Sequence, residues 1–264
     1  IYVTNVGFEG EVGVNGYNAA GLVGCWNGGS MNMIITNCWV TGTITKGQQS
    51  GAICGYSGSG SIVKDSWSTC QMPSSAIYSS DSFTRGAAQV VNCYEADIEG
   101  VAQNKQQHYN PTAASRKTIT LPLEEVASGA LCYNLNGKQF IEPTWFQTID
   151  DDEHPYPWAD DHNIVIYGAE QYFSVEGEED VPDVASEILS YEIDRFEETI
   201  ATQSLIDEYN ASVAALEDVA TFADLAAAID AINAAKKAVE ANAAIYQAYI
   251  DKCEEVKAYL ASHD

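Results

Sequence analysis

An asparagine column runs through the first hundred residues at a spacing that fits one turn of a solenoid. Its members are Asn5, Asn37, Asp65 and Asn92, at intervals of 32, 28 and 27 residues. A glycine column with two intervals of 31 residues accompanies it and comprises Gly24, Gly55 and Gly86. Columns that hold their spacing while the segments between them vary are typical of a protein built from stacked repeats.

The composition of each repeat predicts strands. Short runs of Val, Ile, Thr, Trp and Cys are broken by Gly, Asn and Ser; the first group favours strands and the second favours tight turns. A single short strand cannot bury its apolar face, but stacked coils can. We therefore expect a short parallel β-helix over residues 1–118. Because the first strand has no cap before it, we also expect further coils of the same chain upstream of Ile1.

Strand alternation assigns side chains to two faces. The inward set is Val6, Phe8, Cys38, Val40, Ser66 and Ser68. The outward set is Gly7, Glu9, Trp39, Thr41, Trp67 and Thr69. The corner asparagines are expected to bond their counterparts in the next coil. Cys38 and Cys93 lie two coils apart, at ~10 Å, which is too far for a disulfide.

A connecting segment follows at residues 119–180, after a polar loop at 101–118. A short helix is expected after Pro122, ending near Gly137, with strands at 144–149 and 163–168 around an acidic loop. An open solenoid end leaves strand edges unpaired. We therefore expect this segment to form an α/β cap at the C-terminal end of the coils.

Residues 181–264 predict an acidic three-helix bundle because apolar residues recur there at intervals of three and four. The first stripe is Leu189, Ile193, Phe196 and Ile200. The second is Ile206, Tyr209, Val213 and Leu216. Thr221 and Asp224 form a capping box ahead of an alanine-rich helix. The last stripe is Ile245, Tyr249, Lys252, Val256 and Leu260.

Charge excludes two classes of partner. The chain has a formal net charge of -26, and residues 151–264 carry 27 acidic and 5 basic side chains. Such a surface repels nucleic acid and anionic membranes. No apolar run approaches the ~18 residues that a membrane-spanning helix needs. The seven cysteines show neither CxxC nor zinc-ligand spacing, so no metal cofactor is implied.

The repeats resemble the GLUG-type motif of bacterial surface proteins. "GLVG" at 21–24 matches it directly, within "AGLVGCWNGG…ITNCWVTGTI…SGAICGYSGSG". The stretch from "ASGALCYNLNGKQ" to "NIVIYG" looks like a segment that follows such repeats, and the helical tail is similar to FIVAR-type three-helix spacers. The resemblance implies a β-solenoid with an adhesin-like role at the cell surface. It implies no catalytic residues.

Two interpretations apply to the aromatic column Gly7, Trp39, Trp67 and Tyr94. If Trp39, Trp67 and Tyr94 are exposed, they form a stripe in ~4.8 Å steps that suits sugar rings or a protein partner. Alternatively, a loop, the cap or the helical region covers the stripe. The covered arrangement is favoured, because exposed tryptophan pairs are uncommon on protein surfaces.

The acidic loop offers calcium ligands in Asp150, Asp152 and Asp160, flanked by His154 and His162. It lacks the spacing and central glycine of an EF-hand, so a solvated turn is favoured.

Acidic residues on the strands are the candidates for catalysis, since parallel β-helices also host polysaccharide lyases and glycosidases. They are Glu9, Glu95, Asp97 and Glu99. Asp97 and Glu99 could form a carboxylate pair on one strand face. Basic residues are scarce nearby and the coils are few, so an enzyme is not expected.

We interpret the chain as a non-catalytic extracellular or cell-surface module, without cofactor, that binds a glycan or an extracellular protein or serves as a spacer. The alternative is a fragment of a carbohydrate-active β-helix enzyme. A carboxylate groove would favour the enzyme, and an exposed aromatic stripe would favour the binding module.

Overall fold

The N-terminal part of the chain is a parallel β-solenoid of about three turns. The computed structural model describes residues 1–24, 32–72, 81–98 and 117–262. Most of the loop predicted at 101–118 therefore lies outside the described residues, as does Glu99. Short strands, parallel pairing and variable connections agree with the repeat pattern of the sequence. The parallel β-helix is confirmed.

Three parallel sheets form the walls of the solenoid. The first contains β1 (Tyr2–Thr4), β3 (Ile34–Thr36), β6 (Ile62–Lys64) and β9 (Gln89–Val91). The second, in the spatial order β11-β10-β7-β4-β2, contains β2 (Gly7–Tyr17), β4 (Trp39–Gln48), β7 (Trp67–Ser68), β10 (Tyr94–Asp97) and β11 (Ile119–Pro122). The third pairs β5 (Cys54–Ser57) with β8 (Thr84–Gly86).

The asparagine column forms the corner between the first two sheets. Asn5, Asn37, Asp65 and Asn92 all have positive φ, between 47° and 54°. Asn and Asp tolerate this left-handed conformation better than most residues. Asn37 Nδ2 donates to Asn5 Oδ1 at 3.1 Å, and Asn92 Nδ2 donates to Asp65 Oδ1 at 2.7 Å. The predicted bonds between corners of adjacent coils are thus present between the first two members of the column and between the last two.

The glycine column keeps its interval but not its register. Gly86 pairs with Ser57 and not with Gly55, because the pairing of β5 with β8 shifts between Cys54 and Ser57. Gly55 N–H instead donates to Val23 in the preceding coil, at 2.9 Å. Regular spacing in sequence therefore does not guarantee that these residues stack.

The interior of the solenoid is apolar and follows the predicted inward set. Cys38, Val40, Ser66 and Ser68 are buried, and Phe8 packs against the same core. Val6 is the exception, at 42% exposed, since it lies on the coil at the N-terminal end of the described solenoid. Burial of these columns is the main favourable term that stacking contributes.

The two serines of the predicted inward set form hydrogen bonds with backbone groups. Ser66 Oγ donates to Lys64 O at 2.8 Å and accepts from Cys38 N–H at 3.1 Å. Ser68 Oγ donates to Val40 O at 3.1 Å. A buried hydroxyl with such partners avoids most of its desolvation cost. Cys38 and Cys93 are both free thiols, as their predicted separation requires.

The connecting segment begins with β11, which extends the second sheet beyond β10. A 3-10 turn at Leu123–Val126 and α1 (Ala130–Leu135) follow, and Gly137 at φ 72° ends the predicted helix. The strand expected at 144–149 is wrong: only an isolated bridge joins Phe146 to Tyr156. β12 (Ile164–Gly168) matches the second predicted strand and pairs with β13 (Gln171–Val175).

The other three of the four described α-helices lie towards the C-terminus: α2 (Val181–Glu192), α3 (Gln203–Ala214) and α4 (Phe222–Ala261). The second predicted stripe lies on α3 and the turn after it, with Tyr209, Val213 and Leu216 buried. The Thr221 cap of α4 also agrees, since Asp224 N–H donates to Thr221 Oγ1 at 3.1 Å.

Two helix boundaries differ from the prediction. The helix predicted from the first stripe, Leu189 to Ile200, is wrong. α2 ends at Glu192 because Ile193 adopts an extended backbone, and both Ile193 and Ile200 are exposed. The residues that α2 buries lie earlier, and include Val184 and Ile188. The alanine-rich helix predicted after the Thr221 cap and the helix predicted from the stripe Ile245 to Leu260 are one continuous helix of 40 residues.

The chain divides into two compact units, Ile1–Ile166 and Tyr167–Asp264. The first contains the coils together with most of the connecting segment, which we call the connector (residues 119–166). The second contains α2, α3 and α4. Within the ranges that the structure describes, no helix combines the length and apolar character needed to cross a membrane.

Candidate functional site

The aromatic column stacks in register on the outer face of the second sheet. Gly7 pairs with Trp39, Trp39 with Trp67, and Trp67 with Tyr94. The alternation of the strands therefore places these side chains as predicted. Yet Trp39, Trp67 and Tyr94 are only 7%, 1% and 6% exposed.

The connector covers this column with rings of its own. Trp39 lies 6.4 Å from Trp145, 5.8 Å from His154 and 5.2 Å from Trp158 between ring centroids, at steep interplanar angles. Trp67 lies 5.0 Å from His154. Such tilted and edge-to-face contacts are favourable beyond the area that they bury.

Hydrogen bonds at the end of α1 hold Trp145 in place. Asn136 Oδ1 accepts from the backbone N–H groups of Thr144 and Trp145, both at 2.9 Å, and its Nδ2 donates to Trp145 O at 2.8 Å. The short helix and its Asn136 cap therefore position an aromatic ring nine residues away. Tyr94 is held in the same way, since its hydroxyl donates to Asn92 Oδ1 at 2.9 Å.

Gly7 has a steric role at the top of the column. A Cβ atom at this position would overlap the indole ring of Trp39, which lies across the glycine of the preceding coil. This explains why the first coil has glycine at the position where the later coils have aromatic residues. The first strand leaves room for the ring of the second.

The column is therefore covered, as the favoured interpretation expected. The alternative in which Trp39, Trp67 and Tyr94 form an exposed stripe is wrong. A ligand could stack on Trp39 or Trp67 only by displacing the connector, because apolar burial against the connector already occupies both rings. The binding role predicted for Trp39, Trp67 and Tyr94 stays a prediction, and we place the candidate site elsewhere.

A groove of about 660 Å³ lies between the outer face of the second sheet and the connector. Three carboxylates line it, from Glu9 and Glu11 of β2 and from Glu153 of the connector. Its walls also contain three threonines, two rings and three small or aliphatic residues of the connector: Thr41, Thr43, Thr69, Trp67, His154, Leu123, Val126 and Ala127. We call this feature the acidic groove.

The chemistry of the acidic groove is that of a polar binding site with an apolar edge. All charged residues that line it are acidic, and the side chains of Glu9, Glu11 and Glu153 are exposed to solvent. Thr45 Oγ1 donates to Glu11 Oε1 at 3.1 Å, which orients one carboxylate. Carboxylates and hydroxyls at this density suit a ligand rich in hydrogen-bond donors.

His154 joins the groove to the buried rings. It is buried against Trp39 and Trp67, and desolvation lowers the pKa of its imidazole despite the neighbouring carboxylates of Glu9 and Glu153. Tyr156 lies 4.4 Å from the same ring and stacks on His162 at 4.1 Å. Loss of water also raises the pKa of the Tyr156 hydroxyl.

The acidic loop does not assemble the predicted calcium ligands. Asp152 Oδ2 accepts from Thr148 N–H at 2.6 Å and lies 2.8 Å from His162 Nδ1, so it is used inside the loop. Across the described ranges, no three His, Cys, Asp or Glu side chains converge as a metal ion would require. Asp150, Asp152 and Asp160 are thus not brought together as a site.

The strand acids predicted as catalytic candidates are also separated. Glu95 is buried and accepts from the Thr118 hydroxyl, whereas Asp97 is exposed at the end of β10. Of the members of this set that the structure describes, only Glu9 lines the groove. Sequence reasoning missed Glu11 and Glu153; the i, i+2 spacing of Glu9 and Glu11 was the available signal, since it puts both on one strand face.

Comparison of the chain with family models, with curated proteins and with solved structures gives no match.

Proposed function

We propose that residues 1–166 form a non-catalytic binding module, adhesin-like and displayed outside the cell, whose ligand occupies the acidic groove. The groove itself carries this proposal. It is large enough for a small sugar unit or a short peptide segment, and sites of this kind combine an apolar wall with a few polar groups. Three carboxylates favour a glycan without acidic groups, because uronic or sialic acids would be repelled.

A carboxylate groove is the feature that the sequence analysis assigns to the enzyme, but the exposure of these carboxylates supports binding over catalysis. A glycosidase needs one carboxyl group whose surroundings keep it protonated and a second that stays ionised. Glu9, Glu11 and Glu153 are all exposed, so burial does not distinguish one from the others. Hydrogen bonding to hydroxyl groups of a ligand requires no such difference.

A glycan array with the whole chain tests the proposal. We expect binding to neutral or amine-bearing glycans, and the Glu9→Gln/Glu11→Gln variant should bind about tenfold more weakly, since charge-assisted hydrogen bonds become neutral ones. Glu142→Gln, an exposed position of the same unit outside the groove, is the matched control and should bind like the wild type. Equal binding by all three proteins would remove the groove from consideration.

A carbohydrate-active enzyme is the second candidate, because three carboxylates in one groove are the feature that such an activity needs. Release of reducing ends or unsaturated products from polysaccharides by the wild type, lost in Glu9→Gln/Glu11→Gln and kept in Glu142→Gln, would replace the binding proposal with this one.

We also propose that the connector caps the C-terminal end of the coils. In support, β11 pairs along β10 at the end of the second sheet, and Asn92 Nδ2 donates to Leu135 O of α1 at 3.0 Å. A covered edge cannot recruit strands from other molecules.

The proposal also assigns a repeat family to the coils and a module type to the C-terminal helices. We infer GLUG-type repeats in the coils and a FIVAR-like three-helix spacer in residues 181–264. The match at Gly21–Gly24 supports the first. Buried apolar residues on α2, α3 and the first half of α4, together with the contacts among these helices, support the second.

A further inference from the structure

The longest helix carries an apolar column that continues past the helices that cover it. The column has a strict interval of seven residues along α4: Leu225, Ile232, Val239, Tyr246, Cys253 and Leu260. Its first three members are at most 3% exposed, whereas Tyr246 is 41% and Leu260 57% exposed. The last buried residue of α4 is Val239.

Further apolar side chains widen this column in the second half of α4. Ile245, Tyr249 and Val256 are 69%, 69% and 49% exposed. At 100° per residue they fall beside Tyr246, Cys253 and Leu260, while Gln247, Asp251 and Glu254 fall on the opposite side. We call the exposed apolar side of residues 245–260 the seam.

The period of the column indicates what kind of surface would cover the seam. A repeat of seven residues keeps one side of a helix against a partner helix when the two supercoil left-handedly. The seam is about 24 Å long at 1.5 Å per residue, which corresponds to two heptads. A helical segment of this length is marginal in water without tertiary packing.

Charge along the seam argues for a partner with the same character. Residues 245–260 have a net charge of -1, although residues 167–264 carry -17. Lys252 and Lys257 flank the seam on its two sides and pair with Glu255 and Glu254, at 2.5 Å and 2.6 Å. The seam is therefore the place in this acidic unit where two copies can approach without strong repulsion.

We propose that the seam packs against the seam of a second copy of this chain to form a coiled-coil dimer. The interface is isologous, so each copy contributes the same patch. The two tyrosines and the aliphatic residues of each seam together supply roughly the 1,200 Å² that the smallest specific interfaces bury. This inference concerns the helical unit and is independent of the acidic groove.

Light scattering on the full chain under reducing conditions tests the dimer. We expect a mass of twice the 28.5 kDa chain at micromolar concentrations. Val256→Glu places a charge in the seam and should return the mass to that of one chain, and Tyr249→Arg should do the same with the opposite charge. Ala258→Glu adds the same charge to the opposite side of the helix and should leave the dimer intact.

Circular dichroism of the variants separates lost pairing from lost folding, since the helices before Val239 should keep their signal. A wild type that is monomeric up to several hundred micromolar overturns the proposal. So does a dimer whose mass is unchanged in both Val256→Glu and Tyr249→Arg, because the copies would then meet through another surface. Glycan binding is measured separately, so either result leaves the groove proposal to its own test.

Discussion

At the scale of single residues, the corner column shows how backbone conformation selects a residue type. Asn5, Asn37, Asp65 and Asn92 share a left-handed backbone that costs most residues about 1–2 kcal/mol. Their side chains recover part of this cost by bonding from one coil to the next. The column is therefore a turn signal and a stacking signal together, which explains why it is the clearest periodic feature of the sequence.

Replacing Asn37 separates the two roles. Asn37→Ala and Asn37→Gly both lose the bond to Asn5, but only alanine strains the left-handed backbone, so it should be less stable than the glycine variant by about 1 kcal/mol. Urea unfolding followed by tryptophan fluorescence measures the difference. All five tryptophans precede residue 159, so the signal reports on the first unit. A glycine variant less stable than the alanine variant would contradict the strain argument.

At the scale of elements, a buried carboxylate joins α2, α3 and α4. Glu192, the last residue of α2, is 2% exposed. Its carboxylate accepts a hydrogen bond from the Tyr209 hydroxyl of α3 at 2.5 Å. It also forms ion pairs with Arg195 at 3.2 Å and with Lys236 of α4 at 3.9 Å. Loss of water raises the pKa of the Tyr209 hydroxyl, and its hydrogen bond to Glu192 raises that pKa further. A buried charge needs such partners, because water no longer solvates it.

Removing the Tyr209 hydroxyl should weaken this part of the fold. Tyr209→Phe keeps the ring that packs on Phe196 but leaves Glu192 with one donor fewer, so we expect a loss of about 1–3 kcal/mol. Helical circular dichroism during urea unfolding is the measurement. Tyr191→Phe removes an exposed hydroxyl from the neighbouring helix and should change stability by less than about 0.5 kcal/mol. Similar losses of stability in the two variants would show that the buried Tyr209–Glu192 hydrogen bond contributes no more than an exposed hydroxyl does.

At the scale of the whole molecule, the connector determines what the solenoid exposes. The aromatic rings that would form a surface are taken into a shared core by Trp145, His154 and Trp158. The acidic groove remains open beside them. Because His154 is buried in the contact between the connector and the coils, we expect this contact to weaken when the imidazole becomes charged.

Acid should destabilise this association. The folded-state pKa of His154 lies below its unfolded value of about 6.5, because burial opposes the charge more than Glu9, Asp152 and Glu153 favour it. The unfolded chain then binds the proton more readily, so the contribution of His154 is complete above about pH 6.5 and is lost as the pH falls through that value towards the folded pKa.

His154→Phe isolates this effect, since it keeps a ring without a titrating group. Between about pH 7.5 and 5.5 the fluorescence-detected urea midpoint of the wild type should fall more than that of His154→Phe. Equal falls in the two proteins would assign the acid sensitivity to other groups.

Much of the fold could be predicted from the sequence because its signals are local. Corner asparagines, strand alternation, the Gly137 helix end and the Thr221 cap each depend on residues within a few positions, so they are correctly predicted. The same locality produced the errors. The stripe at Leu189–Ile200 has a helical period, but α2 ends at Glu192, where a tertiary contact from Tyr209 binds the last carbonyl at 3.0 Å.

The candidate site was only partly predictable. Glu9 and Trp67 were recognised on the outer face of their strands, but the groove needs the connector as its second wall, and that contact joins residues more than fifty positions apart.

Sequence alone therefore determined that the chain coils into a parallel solenoid, because each repeat encodes its own turn and its own two faces. Tertiary structure decided which outward residues are buried, which acids share a groove and where the apolar side chains of α4 stay exposed. Those outcomes depend on which surfaces meet, and apolar burial between distant segments has no periodic trace in the chain.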